Sequence, residues 1–245
     1  MKIIASDYDG TFNHNGINDN KCNAVSRWRK AGNLFGIISG RGYPSLKDVV
    51  DRKPFEYDFL ICNNGAVIFD YKEKMIYENR CDGSYAKPLI TDMFEWGCPM
   101  ANIDKDIPVL VKPSNIEVEE GEYTLETLPG ITYFNQISTY LDSTDEATAV
   151  VKKIESKYSG VLSPLQNGNC IDIVPQGVNK AQGIYSLLEI VGASYDDVIA
   201  VGDNINDTHM IAEFRSYAME NAVDSIKDLA DYIVSDITEI FEKEI

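Results

Sequence analysis

The stretch IIASDYDGT, residues 3–11, decides the fold. Its apolar, β-branched start, Ile3-Ile4, reads as a buried strand, and Asp7 and Asp9 follow where that strand would end. Far along the chain VIAVGDNIND, residues 198–207, repeats the arrangement: the run Val198-Ile199-Ala200-Val201 leads to Asp203 and Asp207. Open α/β sheets bind ligands outside the carboxyl ends of their strands. If the two strands are neighbours, four carboxylates converge. Like charges about 4 Å apart repel by roughly 4 kcal/mol at an effective dielectric near 20, so such a cluster needs a cation or a proton. A divalent, oxygen-preferring metal is the simplest answer.

Working outward from residue 3, strand-like and helix-like segments alternate. Lys2–Ser6 reads as a strand, 19–31 as a helix stopped by Gly32, Leu34–Ile38 as a strand, Pro44–Arg52 as a helix and Phe59–Cys62 as a strand. This βαβαβ rhythm predicts a right-handed, parallel sheet. After Asn63-Asn64-Gly65 the pattern changes, and AVIFD and KMIYENR around Tyr71-Lys72-Glu73 predict an antiparallel hairpin. Residues 82–175 are broken by prolines yet carry the strand-like ITYFNQIST and a helix-like 145–157, which predicts a small α+β insert. The α/β rhythm resumes with a helix over 179–191, the strand 198–201, a helix through Met210, and strands at YAM and DYIVS flanking a helix at 223–229. The reading is a core of residues 1–81 and 176–245 split by an insert at 82–175.

The chain has 245 residues, enough for one substantial core plus a smaller insert. A net charge of −17 repels nucleic acid and anionic lipid, so neither is an expected partner. Five cysteines, Cys22, Cys62, Cys81, Cys98 and Cys170, are scattered without C-x-x-C spacing, against a disulfide framework and against a zinc site. No stretch approaches the roughly 20 apolar residues that span a bilayer. The expectation is a cytoplasmic protein, with oligomeric state left open.

Several residues can carry chemistry. A carboxylate beside a metal can attack phosphorus, and a second one nearby can protonate the leaving oxygen and later take a proton from water. Asp7 suits the first role and Asp9 the second, although D-x-D-G taken alone is a common acidic turn. A calcium loop starting at Asp7 is disfavoured, because the sixth position is Phe12 in place of Gly and the twelfth is Asn18 in place of Glu. Ser39-Gly40-Arg41 follows the second strand, where a hydroxyl and exposed backbone N–H groups make a phosphate cradle. Lys180 opens a helix, where its ammonium could neutralise phosphoryl charge. The acids and amides of Gly202–Asp207 suit a partly hydrated magnesium ion. His14 and His209 lack any ligand-like context.

In order along the chain, DYDGT (7–11), SGR (39–41), Lys180 and GDNIND (202–207) resemble the four motifs of the haloacid dehalogenase superfamily of aspartate-nucleophile phosphotransferases. NNGA at 63–66, DIVPQGVNKAQGI at 172–184 and AMENA at 218–222 with LADYIVSD resemble its Cof-type hydrolases. The resemblance implies a Rossmann-like α/β core with an inserted α+β cap. It implies a catalytic Asp7 and Asp9, and Mg²⁺ held by Asp7, the backbone carbonyl of Asp9, and Asp203, with Asp207 supporting the metal or Lys180. Ser39, Gly40, Lys180 and Asn206 would bind the phosphoryl group. The implied activity is Mg²⁺-dependent hydrolysis of small phosphomonoesters, such as sugar phosphates, through an aspartyl-phosphate. A phosphosugar mutase and a non-catalytic phospho-ligand-binding protein are the alternatives. Glu220 in AMENA, where Gly is usual, and the absence of Gly-Val after the last strand depart from the pattern.

Overall fold

The computed structural model describes residues 1–244. The chain divides into two compact units, residues 1–77 together with 179 onward, and residues 78–178.

Apolar runs bounded by turn residues build the first unit. Its strands are β1 (Ile3–Ser6), β2 (Leu34–Ile38), β3 (Phe59–Cys62), β4 (Val67–Asp70), β5 (Met75–Glu78), β6 (Val198–Gly202), β7 (Arg215–Met219) and β8 (Tyr232–Val234). They form one sheet in the order β8-β7-β6-β1-β2-β3-β4-β5. The six strands from β8 to β3 are parallel and β4 returns antiparallel to β3. The helices are α1 (Asp19–Lys30), α2 (Tyr43–Arg52), α3 (Lys180–Val191), α4 (Thr208–Glu213), α5 (Asp224–Leu229) and α6 (Thr238–Glu244). β1 and β6 are direct neighbours, with Ile3 opposite Val198 and Ser6 opposite Val201. The chain therefore runs outward from β1 to β2 on one side and from β6 to β7 on the other. That reversal is the switch point at which doubly wound sheets bind ligands.

Strand periodicity sorts the central strands onto two faces. Ile3, Ala5, Val198 and Ala200 pack in one cluster with Ala181, Ile184, Leu187 and Leu188 of α3. Aromatic rings build a second contact set, in which Phe12 meets Phe35 and Phe55 at 5.1 and 4.5 Å, and Phe241 meets Trp28 and Phe35 at 5.8 and 5.6 Å. α6 was not read from the sequence. It forms because Asp236 accepts hydrogen bonds from the Thr238 backbone and hydroxyl, at 2.9 and 2.7 Å, while Phe241 supplies the buried anchor. Glu244, also buried, accepts from Lys2 and from the Tyr217 hydroxyl.

The second unit has a sheet in the order Leu162–Asn167, Cys170–Pro175, Gln136–Tyr140, Ala101–Asp104, Val109–Val111, Glu122–Tyr123. Leu89, Ile90 and Met93 of helix Ala86–Glu95, and Val150 and Ile154 of helix Thr144–Lys157, share a core with Ile103, Ile137, Ile171 and Ile173. The stretch ITYFNQIST is two strands rather than one. Tyr133–Phe134 pairs with Cys81–Asp82, and Gln136–Tyr140 joins the larger sheet. The break falls at Asn135, whose amide donates to Glu78 Oε1 and the Asn79 carbonyl, both at 3.0 Å. Pro164 sits inside the edge strand Leu162–Asn167, a position that lacks a ladder partner on one side and so tolerates the missing N–H.

Among the described residues no helix is long and apolar enough to cross a membrane. None of the five cysteines is in a disulfide.

Candidate active site

The carboxyl ends of β1, β2, β3 and β6 deliver the functional side chains. Asp7 continues the β1–β6 ladder, its N–H donating to the Val201 carbonyl at 2.9 Å. The chain then coils through Tyr8–Phe12 in an irregular turn closed by Phe12 N–H to the Asp7 carbonyl and Asn13 N–H to the Tyr8 carbonyl. Gly10 sits at φ 82°, and a Cβ built there would lie 2.4 Å from Asp203 Oδ2. The turn thus needs glycine for its backbone angle and for the close approach of the second acidic loop.

Asp7, Asp203 and Asp207 each bring a carboxylate oxygen to within 4.8 Å of the others. Lys180, wholly buried at the start of α3, lies between two of them, its ammonium donating to Asp7 Oδ1 at 2.6 Å and Asp207 Oδ1 at 2.5 Å. Asn179 caps α3 by accepting from Gln182 N–H at 2.9 Å. The start of α3 is further held by a close approach to the loop after β3, where a Cβ on Gly65 would meet the Asn179 carbonyl oxygen at 2.3 Å. Asp207 Oδ2 accepts from the backbone N–H groups of Asp203 and Asn204, at 2.9 and 3.0 Å, so both of its oxygens are engaged. Asp203 Oδ1 accepts from the Thr11 hydroxyl at 2.6 Å. Among the described residues the Oδ2 atoms of Asp7 and Asp203 accept no hydrogen bond, and hard, anionic carboxylate oxygens within 4.8 Å of one another fit a divalent, oxygen-preferring cation.

The electrostatics agree with that fit. Burial pushes the Asp7 carboxyl well above its ordinary value, Lys180 opposes the rise, and Asp207 adds to it. Burial also raises Asp203, against the Thr11 hydrogen bond and with Asp207. Burial alone would lower Lys180, but Asp207 and Asp7 outweigh it and hold the ammonium charged. One fixed cation among three buried carboxylates leaves negative charge in excess.

The expectation that all four acids converge is corrected at Asp9. Its side chain is about half exposed and stands outside the cluster, held by Arg41 through Nε to Oδ2 at 2.7 Å and Nη2 to Oδ1 at 3.0 Å. Arg41 belongs to the turn after β2. There Ser39 is buried, its N–H donates to Ile61 O, its carbonyl accepts from Asn64 N–H, and its hydroxyl accepts from Arg41 N–H at 3.2 Å. Gly40 is half-buried on the same turn. Asn206 is half-buried on the turn Ile205–Asp207, and its side chain takes no part in the cluster's hydrogen bonds. Two contributors escaped the sequence reading: Thr11, which orients Asp203, and Arg41, which holds Asp9. Both lie inside quoted motifs, but nothing in their spacing says which acid each would meet.

The profile of haloacid dehalogenase-like hydrolases matches residues 4–239. A pyridoxal phosphate phosphatase of Escherichia coli is 25% identical over 97% of this chain and 94% of its own. A 5-amino-6-(5-phospho-D-ribitylamino)uracil phosphatase of Bacillus subtilis is 26% identical over 95% of this chain and 89% of its own. Among solved structures, a haloacid dehalogenase-like hydrolase from Bacillus subtilis superposes with a TM-score of 0.84 at 17% identity, covering 100% of both chains. The chain belongs to the haloacid dehalogenase-like hydrolases, in their Cof-type branch, and is a hydrolase of the phosphatase kind.

Proposed function

We propose that this phosphatase hydrolyses small phosphomonoesters through an aspartyl-phosphate on Asp7, with Mg²⁺ as its metal. The observation that carries the reading is the buried Asp7 carboxylate, fixed at the switch point with one oxygen on Lys180 and the other free. Asp7, Asp203 and the Asp9 backbone carbonyl would hold the ion, and Asp207, with both oxygens engaged, supports Lys180 and the loop of Asp203 from behind. When bound, the ion offsets the charge of the cluster and of the phosphoryl oxygens.

In the first step an Asp7 oxygen bonds to phosphorus as the ester P–O bond breaks, and Asp9 gives its proton to the departing oxygen. In the second, water attacks the acyl phosphate while Asp9 takes its proton, releasing inorganic phosphate and restoring both acids. Lys180 stays protonated throughout and neutralises charge spread over the phosphoryl oxygens, while Ser39, Gly40 and Asn206 donate to them. The insert, residues 82–175 in the sequence reading, serves as the cap that selects the leaving group. The named substrates of the two relatives, each a small molecule carrying a phosphoester, support this substrate class. The cytosol, where cysteines stay reduced, is the proposed compartment for a chain whose five cysteines form no disulfide.

The test is release of phosphate from an aryl phosphate and from a panel of metabolite phosphoesters at fixed Mg²⁺. Activity should vanish with EDTA and fall at least about 10³-fold in Asp7→Asn, because an amide cannot serve as this nucleophile. An Asp7→Asn variant with undiminished turnover refutes the mechanism.

A further inference from the structure

We propose that Arg41 is the positioning residue for Asp9, a role that rests on the phosphatase reading above. Arg41 spends three donors on two partners: Nε and Nη2 grip both oxygens of Asp9, and Nη1 donates to the Ser45 hydroxyl of α2 at 3.1 Å. Its backbone is fixed at both ends as well, with N–H on Ser39 Oγ at 3.2 Å and its carbonyl accepting from Asn63 N–H at 2.9 Å. Arg41 is therefore held through its backbone by the loops after β2 and β3 and through its guanidinium by α2, and Asp9 is held by the guanidinium.

The pair is open to water, with side-chain exposures of 37% for Arg41 and 51% for Asp9, so it contributes little to stability. What it supplies is geometry. A two-pronged bond fixes the plane and direction of a carboxylate, which the point charge of a lysine cannot do. Without it, the Asp9 side chain, exposed and beside Gly10, is free to change rotamer or to swing toward a cation among Asp7, Asp203 and Asp207. With it, the carboxyl group stays against the Arg41 guanidinium of the Ser39–Arg41 turn, outside the cluster of Asp7, Asp203 and Asp207. A group that hands a proton to the leaving oxygen must occupy such a place while Asp7 bonds to phosphorus. In that step the proton passes from the Asp9 carboxyl to the ester oxygen as the P–O bond breaks. Arg41 gains and loses none.

Leaving-group dependence separates this role from a structural one. A nitrophenolate departs without help, whereas the alkoxide of a primary alkyl phosphate needs a proton. The quantity to compare is kcat/KM, which covers the steps through departure of that group. In R41K, kcat/KM should fall on the order of 10²-fold on the alkyl ester and no more than about threefold on the nitrophenyl ester. D9N should show the same asymmetry at larger amplitude, and D9N/R41K should be no worse than D9N, because a positioning residue has nothing left to position. An equal fall on both esters, as a lost contact to the phosphoryl group would give, or additive losses in the double variant, overturn the proposal. A wild-type protein that hydrolyses neither ester refutes the phosphatase reading instead. Crystal structures then judge the pair on its own: an Asp9 carboxylate displaced in R41K sustains the positioning role, and one that stays in place overturns it.

Discussion

Replacing Lys180 by methionine isolates the electrostatics of the cluster, because methionine keeps the unbranched shape and removes only the charge and its donors. The ammonium contacts Asp7 and Asp207 at 2.6 and 2.5 Å, and all three side chains are at most 9% exposed. Two carboxylates no more than 4.8 Å apart at an effective dielectric near 20 repel by about 3.5 kcal/mol or more, in line with the ~3–5 kcal/mol cost of breaking a buried pair. Protonation sets a ceiling. Binding one proton to a carboxyl whose unfolded value is 3.8 costs about 1.36 kcal/mol per pH unit above it, hence about 4.4 kcal/mol at pH 7 and about 1.6 at pH 5. Because burial already raises Asp7 in the wild type, part of that cost precedes the substitution, and Lys180→Met in EDTA should lose between about 1 and 4.4 kcal/mol at pH 7 and no more than about 1.6 kcal/mol at pH 5. Urea unfolding followed by Trp28 fluorescence in a Trp96→Phe background reads the first unit alone, since Trp28 is buried in it and Trp96 packs in the second unit. A loss below about 1 kcal/mol at pH 7, or one that does not shrink toward pH 5, would show that the three side chains are not electrostatically coupled as described.

The same charge excess should make metal stabilisation depend on pH. Asp7 and Asp203 are raised above 3.8, so the stability they contribute without metal is present below that value and is lost as pH climbs through their folded values. The melting-temperature gain on adding Mg²⁺ over EDTA should grow from pH 5 to pH 8, and a gain independent of pH would sink the assignment of the cluster as the ion's site. Gly65→Ala, at φ 110° with 2.3 Å to the Asn179 carbonyl oxygen, should cost about 2–4 kcal/mol and lower turnover by moving Lys180; a melting curve matching wild type would contradict the close approach. In the second unit the buried Asp92 accepts from the Tyr158 hydroxyl at 2.5 Å and from Lys157 at 2.7 Å. Asp92→Ala should destabilise that unit by about 1–3 kcal/mol, read by Trp96 fluorescence, while turnover of an aryl phosphate below the transition stays near wild type.

The core was legible because its parallel strands are buried on both faces and therefore read as unbroken apolar runs, each ending in the residues that matter: Ser6-Asp7, Ser39-Gly40, Asn63-Asn64 and Gly202-Asp203. The second unit was much less so. Its strands are short and, apart from the parallel pair Val109–Val111 and Glu122–Tyr123, antiparallel, one contains Pro164, and several residues opposite the apolar face, Asn102, Gln136, Ser138 and Asp172, are polar, so no run of more than a few residues declares itself. Residues 131–139 read as one strand because nothing local marks Asn135 as the point where the chain leaves one sheet for another. The short α6 escaped notice too, since seven residues are too few to establish a helical period.

By itself the sequence determined which carboxylates would lie at strand ends, because burial of β-branched runs dictates strands and the polar residue after each run must emerge where the sheet stops. It also determined the order of the motifs along the chain. Only the tertiary structure decided which partner each acid took. Asp7 and Asp207 share Lys180, Asp203 takes the Thr11 hydroxyl, and Asp9 turns away to Arg41. Those choices depend on distances of 2.5–3.0 Å between atoms as many as 192 positions apart in the chain, and they are set by how β1, β2, β6 and α3 pack.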